Sequence, residues 1–137
     1  MPDPQHNIAP LELSFAVITP ICSSIAQIEV NKDVEICLDC VDEMHETFSR
    51  HFGREMGVLV NKINPYSYSS GAQFKIISSP QIKAIAVVHH STTSLITTQT
   101  MQQLPQNRHR NMQHFWERDE AIKWLQKEVG SIITSGE

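Results

Sequence analysis

Two short stretches of the chain hold most of the side chains that could do chemistry. The first is Cys37-Leu38-Asp39-Cys40, a C-x-x-C. Thiols so spaced at a helix start can have a lowered pKa and exchange disulfides. A redox motif of this kind wants a strand running directly into it and an exposed first cysteine. The preceding residues, 31–36, read as a turn and a short extended piece. The simpler expectation is therefore that Cys37 occupies a helix cap and Cys40 a half-buried helical position. Zinc would need further ligands, and Cys22 with a histidine is a weak guess.

The second stretch is PYSYSSGAQF, residues 65–74, a run of hydroxyls ending in glycine ahead of a helical pattern. Ser69 or Ser70 can act as the N-cap, worth about 1 kcal/mol. Either is also a candidate phospho-acceptor, because phosphate at a helix N-terminus meets free N–H groups and the positive end of the dipole. Asn61, Asn64, Tyr66, Ser67 and Tyr68 form a candidate binding loop at the carboxyl end of a buried strand, where α/β sheets place ligands. The alternative is that the two tyrosines pack over the end of the sheet.

Other residues offer less. The seven histidines include no i, i+4 helical pair, so no metal site is expected. Arg108 and Arg110 could hold an anion or a lipid headgroup, but a solvated loop is the simpler reading. With no nucleophile–base–acid set, phosphate-cradling glycine loop or carboxylate pair legible, the chain reads as non-enzymatic and without a cofactor.

These groups must be positioned by elements that the hydrophobic pattern predicts. Residues 11–18 and 24–30 read as an antiparallel hairpin with TPICS as its turn. Val41, Met44, Phe48 and Phe52 form one stripe of a helix over 38–52, which Gly53 ends. Residues 56–62 and 82–90 are apolar runs typical of strands buried on both faces. Helices are predicted after each, over 69–78 and over 92–104. A short strand at 111–116 and a helix at 117–129 close the order. The hairpin followed by helix–strand repeats implies an α/β fold with a mixed sheet. One domain over 11–129 is expected, with a loose lead-in (1–10) and tail (130–137).

Three stretches in this order resemble the SpoIIAA-like (STAS/SEC14-like) family of small bacterial proteins: MGVLVNKINPYSYSSGAQF, IKAIAVVHHS and NMQHFWERDEAIKWLQ. The resemblance implies the STAS fold and a binding or regulatory role. Related STAS domains are switched by phosphorylation of a serine in an Asp-Ser-Ser/Thr-Gly stretch. Here Ser69, Ser70 and Gly71 match, but Tyr68 stands in place of the aspartate, which favours the cap reading. The SEC14-like label implies an alternative role, carriage or sensing of a small apolar ligand or lipid. A homodimer is also expected, from the resemblance and from a sheet edge that needs cover.

Composition bounds the rest. The 137 residues are 40% hydrophobic and 19% charged, with a net charge of -4, the range of a globular chain. An acidic balance argues against a nucleic-acid partner, which would need a basic stripe. The proline-containing start does not read as a signal peptide, and no apolar run reaches the ~20 residues that span a bilayer, so a cytoplasmic location is expected. Three cysteines do not read as a disulfide framework.

Overall fold

The computed structural model describes residues 9–75, 79–103 and 111–130. The lead-in before residue 9, the tail after 130 and the Arg108–Arg110 loop lie outside the described residues. Twelve elements follow in chain order: β1 (Leu11–Glu12), β2 (Ala16–Cys22), β3 (Ile25–Val30), β4 (Glu35–Ile36), α1 (Leu38–His51), β5 (Met56–Lys62), β6 (Ser67–Tyr68), α2 (Ser70–Lys75), β7 (Ile82–His89), α3 (Thr92–Gln102), β8 (Met112–Phe115) and α4 (Arg118–Glu128). Six strands form one sheet in the order β1-β2-β3-β5-β7-β8. The first three run antiparallel, and β3, β5, β7 and β8 are mutually parallel. The mixed α/β sheet expected from the sequence is therefore present.

The opening hairpin differs from its sequence reading in two places. Residues 11–18 are not one strand. The chain turns at Leu13–Phe15, where Leu13 N–H donates to the Ala16 carbonyl and the Ser14 hydroxyl donates to Glu43 at 2.6 Å. Nor is TPICS the hairpin turn. β2 continues through it to Cys22, and only Ser23 and Ser24 turn. Proline was a fair breaker signal, but β1 covers β2 only as far as Ile18, and a register shift between Pro20 and Cys22 absorbs the missing N–H.

Alternation along the strands divides the core into two layers. Ala26, Ile28, Val58, Ile85, Val87 and Met112 face α1 and its neighbours, meeting Val41, Met44 and Phe48 of α1, Ala72 of α2 and Met101 of α3. Ile25, Leu59, Ala84, Ala86 and Val88 face the other way, against Ala121 and Leu125 of α4. Helix α4 sits close because β5 has a glycine there: a Cβ on Gly57 would lie 3.0 Å from Leu125 Cδ2 and 3.2 Å from Val129 Cγ1. Strands buried on both faces explain why residues 56–62 and 82–89 read as apolar runs without alternation.

A second, two-stranded parallel sheet joins β4 to β6. Ser67 N–H donates to Val34 and Ser69 N–H to Ile36. The turn before β4 holds Asp33 at φ 62, a left-handed conformation tolerated by aspartate, and its N–H donates to Pro65. This small sheet sets the starts of α1 and α2 side by side. Because the large strands are parallel, the starts of α3 and α4 follow directly from the carboxyl ends of β7 and β8, on the same rim. Among the described residues no helix is long and apolar enough to cross a membrane.

Candidate functional site

The rim at the carboxyl ends of β5 and β7 holds a crevice of about 240 Å³, lined by Lys62, Ile63, Asn64, Pro65 and Tyr66 on one side and His90, Ser91, Thr93, Ser94 and Thr97 on the other. One wall is the loop that follows β5. The other is the first turns of α3, whose N-cap Ser91 accepts from the Ser94 N–H at 3.1 Å. Lys62 is the central charge. Its ammonium lies 4.2 Å from the centroid of the Tyr66 ring, and it also borders a second hollow of about 270 Å³ with Tyr68, Ile96 and Met101. Among the described residues no carboxylate is within ion-pairing distance of it. Burial pushes its pKa down to about 8.

Behind the crevice runs a chain of imidazoles. His89 ends β7 on the α3 face of the sheet and is 1% exposed. Its Nδ1 is 2.8 Å from Ser94 Oγ, and its Nε2 is 2.9 Å from Nδ1 of His114 on the adjacent strand. His114 Nε2 is 2.7 Å from Gln102 Oε1. The chain has one consistent direction. The Gln102 amide donates to the Met112 carbonyl, so its oxygen must accept, and His114 therefore carries its proton on Nε2. His114 Nδ1 then accepts from His89 Nε2–H, and His89 Nδ1 accepts from the Ser94 hydroxyl. Both rings are neutral. Burial first, then the His114, Lys62 and His90 charges, hold His89 down to about 4, and burial lowers His114.

This is a serine–imidazole–imidazole set, which no spacing in the sequence discloses. A base with a pKa near 4 takes a hydroxyl proton poorly at neutral pH, since general-base efficiency needs a pKa near the working pH. The imidazole chain commits the Ser94 proton inward.

The predicted binding-loop residues separate. Asn64 lines the crevice and its side-chain amide ties the loop to the Val30 carbonyl at 3.2 Å. Asn61 instead lies on the α4 face. It accepts from His90 Nε2 at 2.7 Å and donates to Glu29, in a second network that continues through Gln27 to Arg118. It therefore reaches the crevice only through His90. Ser67 is exposed within β6.

Tyr66 and Tyr68 do not stand out from the rim as free recognition groups. Their rings pack edge to face, with centroids 5.6 Å apart, over the end of the sheet against the core. They help to enclose an apolar cavity of about 40 Å³ with Phe15, Ile36, Met44 and Val58. Among the described residues the Tyr66 hydroxyl is buried with no partner at hydrogen-bonding geometry; the neighbouring Tyr68 acts on it electrostatically without meeting that geometry. Burial holds the Tyr66 pKa well above its ordinary value.

Ser69 caps α2, accepting from the Ala72 N–H at 3.3 Å, and Ser70 is the exposed first residue of the helix. The cysteines stand where the sequence puts them, Cys37 at the cap of α1 and Cys40 half-buried on the helix. Cys37 is the N-cap of α1 but makes no side-chain cap bond. The piece before it is a strand, β4, and Cys37 is exposed. The short extended piece expected before Cys37 is thus a two-residue strand. Cys22 is buried in the α4 layer, beside Ser24. Among the described residues no three metal-ligating side chains converge.

No family model, curated protein or solved structure matches the chain.

Proposed function

We propose that the protein is a non-enzymatic binding and regulatory module of the SpoIIAA-like STAS type, and that its crevice takes the anionic end of a small ligand. The observation that carries this reading is Lys62: a desolvated ammonium with no carboxylate partner among the described residues, at the mouth of a hollow of about 240 Å³. A cation removed from water and left without an anion costs stability, and a bound phosphate or carboxylate recovers it. The hydroxyls of Ser91, Thr93 and Thr97 supply donors, and the weak base His89 argues against turnover at Ser94.

The test is calorimetric titration with inorganic phosphate and with succinate, on wild type and Lys62→Met. The expected result is binding that weakens as pH rises through about 8, where Lys62 loses its proton. The variant should lose about 10- to 100-fold in affinity, the worth of one charge-assisted bond. Equal affinity in the two proteins, or no binding of either anion, would remove the proposal.

Carriage of a small apolar ligand has less support, because the apolar cavity under Tyr66 is about 40 Å³, well below the ~300 Å³ at which ligand pockets begin. The homodimer is retained as a proposal. Among the described residues β1 covers its edge of the sheet for only two residues, leaving the end of β2 from Thr19 to pair with a second copy. A monomer in sedimentation at micromolar concentration would exclude it.

A further inference from the structure

Cys37 and Cys40 are free thiols whose sulfurs lie 3.2 Å apart, in van der Waals contact. A disulfide would bring such a pair to ~2.05 Å. The pair is asymmetric in the way sequential attack requires. Cys37 is exposed at the mouth of the 14-residue helix, and Cys40 is half-buried behind it, packed on the core. β4, held by β6, fixes the approach to Cys37. Leu38, 45% exposed beside it, offers an apolar contact to an incoming chain.

We propose that Cys37 and Cys40 form a redox-active dithiol, with Cys37 the attacking sulfur and Cys40 the resolving one, that exchanges with an exposed disulfide of a protein or a small thiol. The Cys37 thiolate attacks one sulfur of the substrate disulfide. A bond forms from Cys37 to that sulfur, and the other leaves as a thiolate. Cys40 then gives up its proton and attacks Cys37 Sγ; the Cys37–Cys40 bond forms and the second thiolate leaves. Two protein thiols are oxidised, one disulfide is reduced to two thiols, and the two protons go to the leaving sulfurs. Thiolate formation is favoured on the correct sulfur. The Cys40 thiol, then the Cys40 and Asp39 N–H groups, lower the Cys37 pKa, although none makes a well-formed cap bond, while burial raises that of Cys40. The inference does not depend on the anion reading of the crevice.

The probe is glutathione disulfide. The reduced full-length protein is incubated with it, the remaining thiols are alkylated under denaturing conditions, and the products are mapped by mass. Wild type should lose two hydrogens, with Cys37 and Cys40 protected and Cys22 alkylated. Cys40→Ser should stop at a glutathione adduct on Cys37, and Cys37→Ser should form adduct at Cys40 at least about tenfold more slowly. A wild-type protein that remains a dithiol in excess glutathione disulfide, or a first adduct that maps to Cys22 or Cys40, would overturn the proposal. Cys37 is exposed and Cys40 half-buried, and circular dichroism of each variant checks that it folds.

Discussion

Acid should destabilise this protein through His89 in a way that can be isolated. The ring is buried and neutral, with a pKa of about 4 against an ordinary value of 6.5. The folded pKa is the depressed one, so the unfolded chain binds more protons at mildly acid pH. The stabilising contribution is complete above about 6.5 and is lost as pH falls toward 4. Integrating the difference in bound protons from pH 7 to pH 5 gives a loss of about 1.5–2 kcal/mol from this one group. His114, also lowered by burial, acts in the same direction. For a chain of this size the His89 part corresponds to a fall of roughly 5–9 °C in Tm. The assay is urea unfolding at pH 7 and pH 5 for wild type and His89→Gln, which keeps an amide but takes no proton. The variant will be less stable at both pH values, because Ser94 and His114 lose a partner, but its stability should change less between them by about 1.5–2 kcal/mol. Equal pH dependence in the two proteins would show that His89 is not held neutral, and the direction assigned to the imidazole chain would fail with it.

Two further outcomes test the tyrosine and serine loop. Tyr66→Phe removes a buried hydroxyl that meets no partner among the described residues, so the variant should match or exceed wild type by up to ~1 kcal/mol in urea denaturation; a clear loss of stability would mean that the hydroxyl is bonded. Ser69→Ala removes the cap of α2 and should cost ~0.5–1 kcal/mol, whereas Ser70→Ala, at an exposed first helical position, should be within ~0.5 kcal/mol of wild type. The reverse order in thermal melts would move the cap to Ser70.

Much of the architecture was legible because it is written in local periodicity. The stripe of Val41, Met44 and Phe48 is the buried face of α1, and the apolar run at 56–62 coincides with β5. The misread places are those where a distant partner overrode a local signal. Pro20 continues a strand because its free side meets no neighbour, and residues 13–15 break because Ser14 finds Glu43, 29 residues away. The candidate site was half legible. Position after a buried strand pointed to the loop at 63–68, and Asn64 and Tyr66 do line the crevice. Lys62 and Ser94 were missed. A lysine at a strand end carries no signal until a neighbouring helix strips its water, and Ser94 is one hydroxyl among many in a threonine-rich helix.

The sequence by itself determined the class of sheet, the order of its longer elements and the inward face of α1, since hydrophobic spacing acts over a few residues and needs no knowledge of neighbours. Tertiary structure alone decided what those elements bring together. The register that sets His114 opposite Val87, two residues before His89 on β7, turns two unrelated histidines into a bonded pair. The pairing of β4 with β6 makes a strand of the piece that leads into Cys37. The pleat sends Asn61 to one face and Lys62 to the other, because successive side chains on a strand point to opposite sides of the sheet.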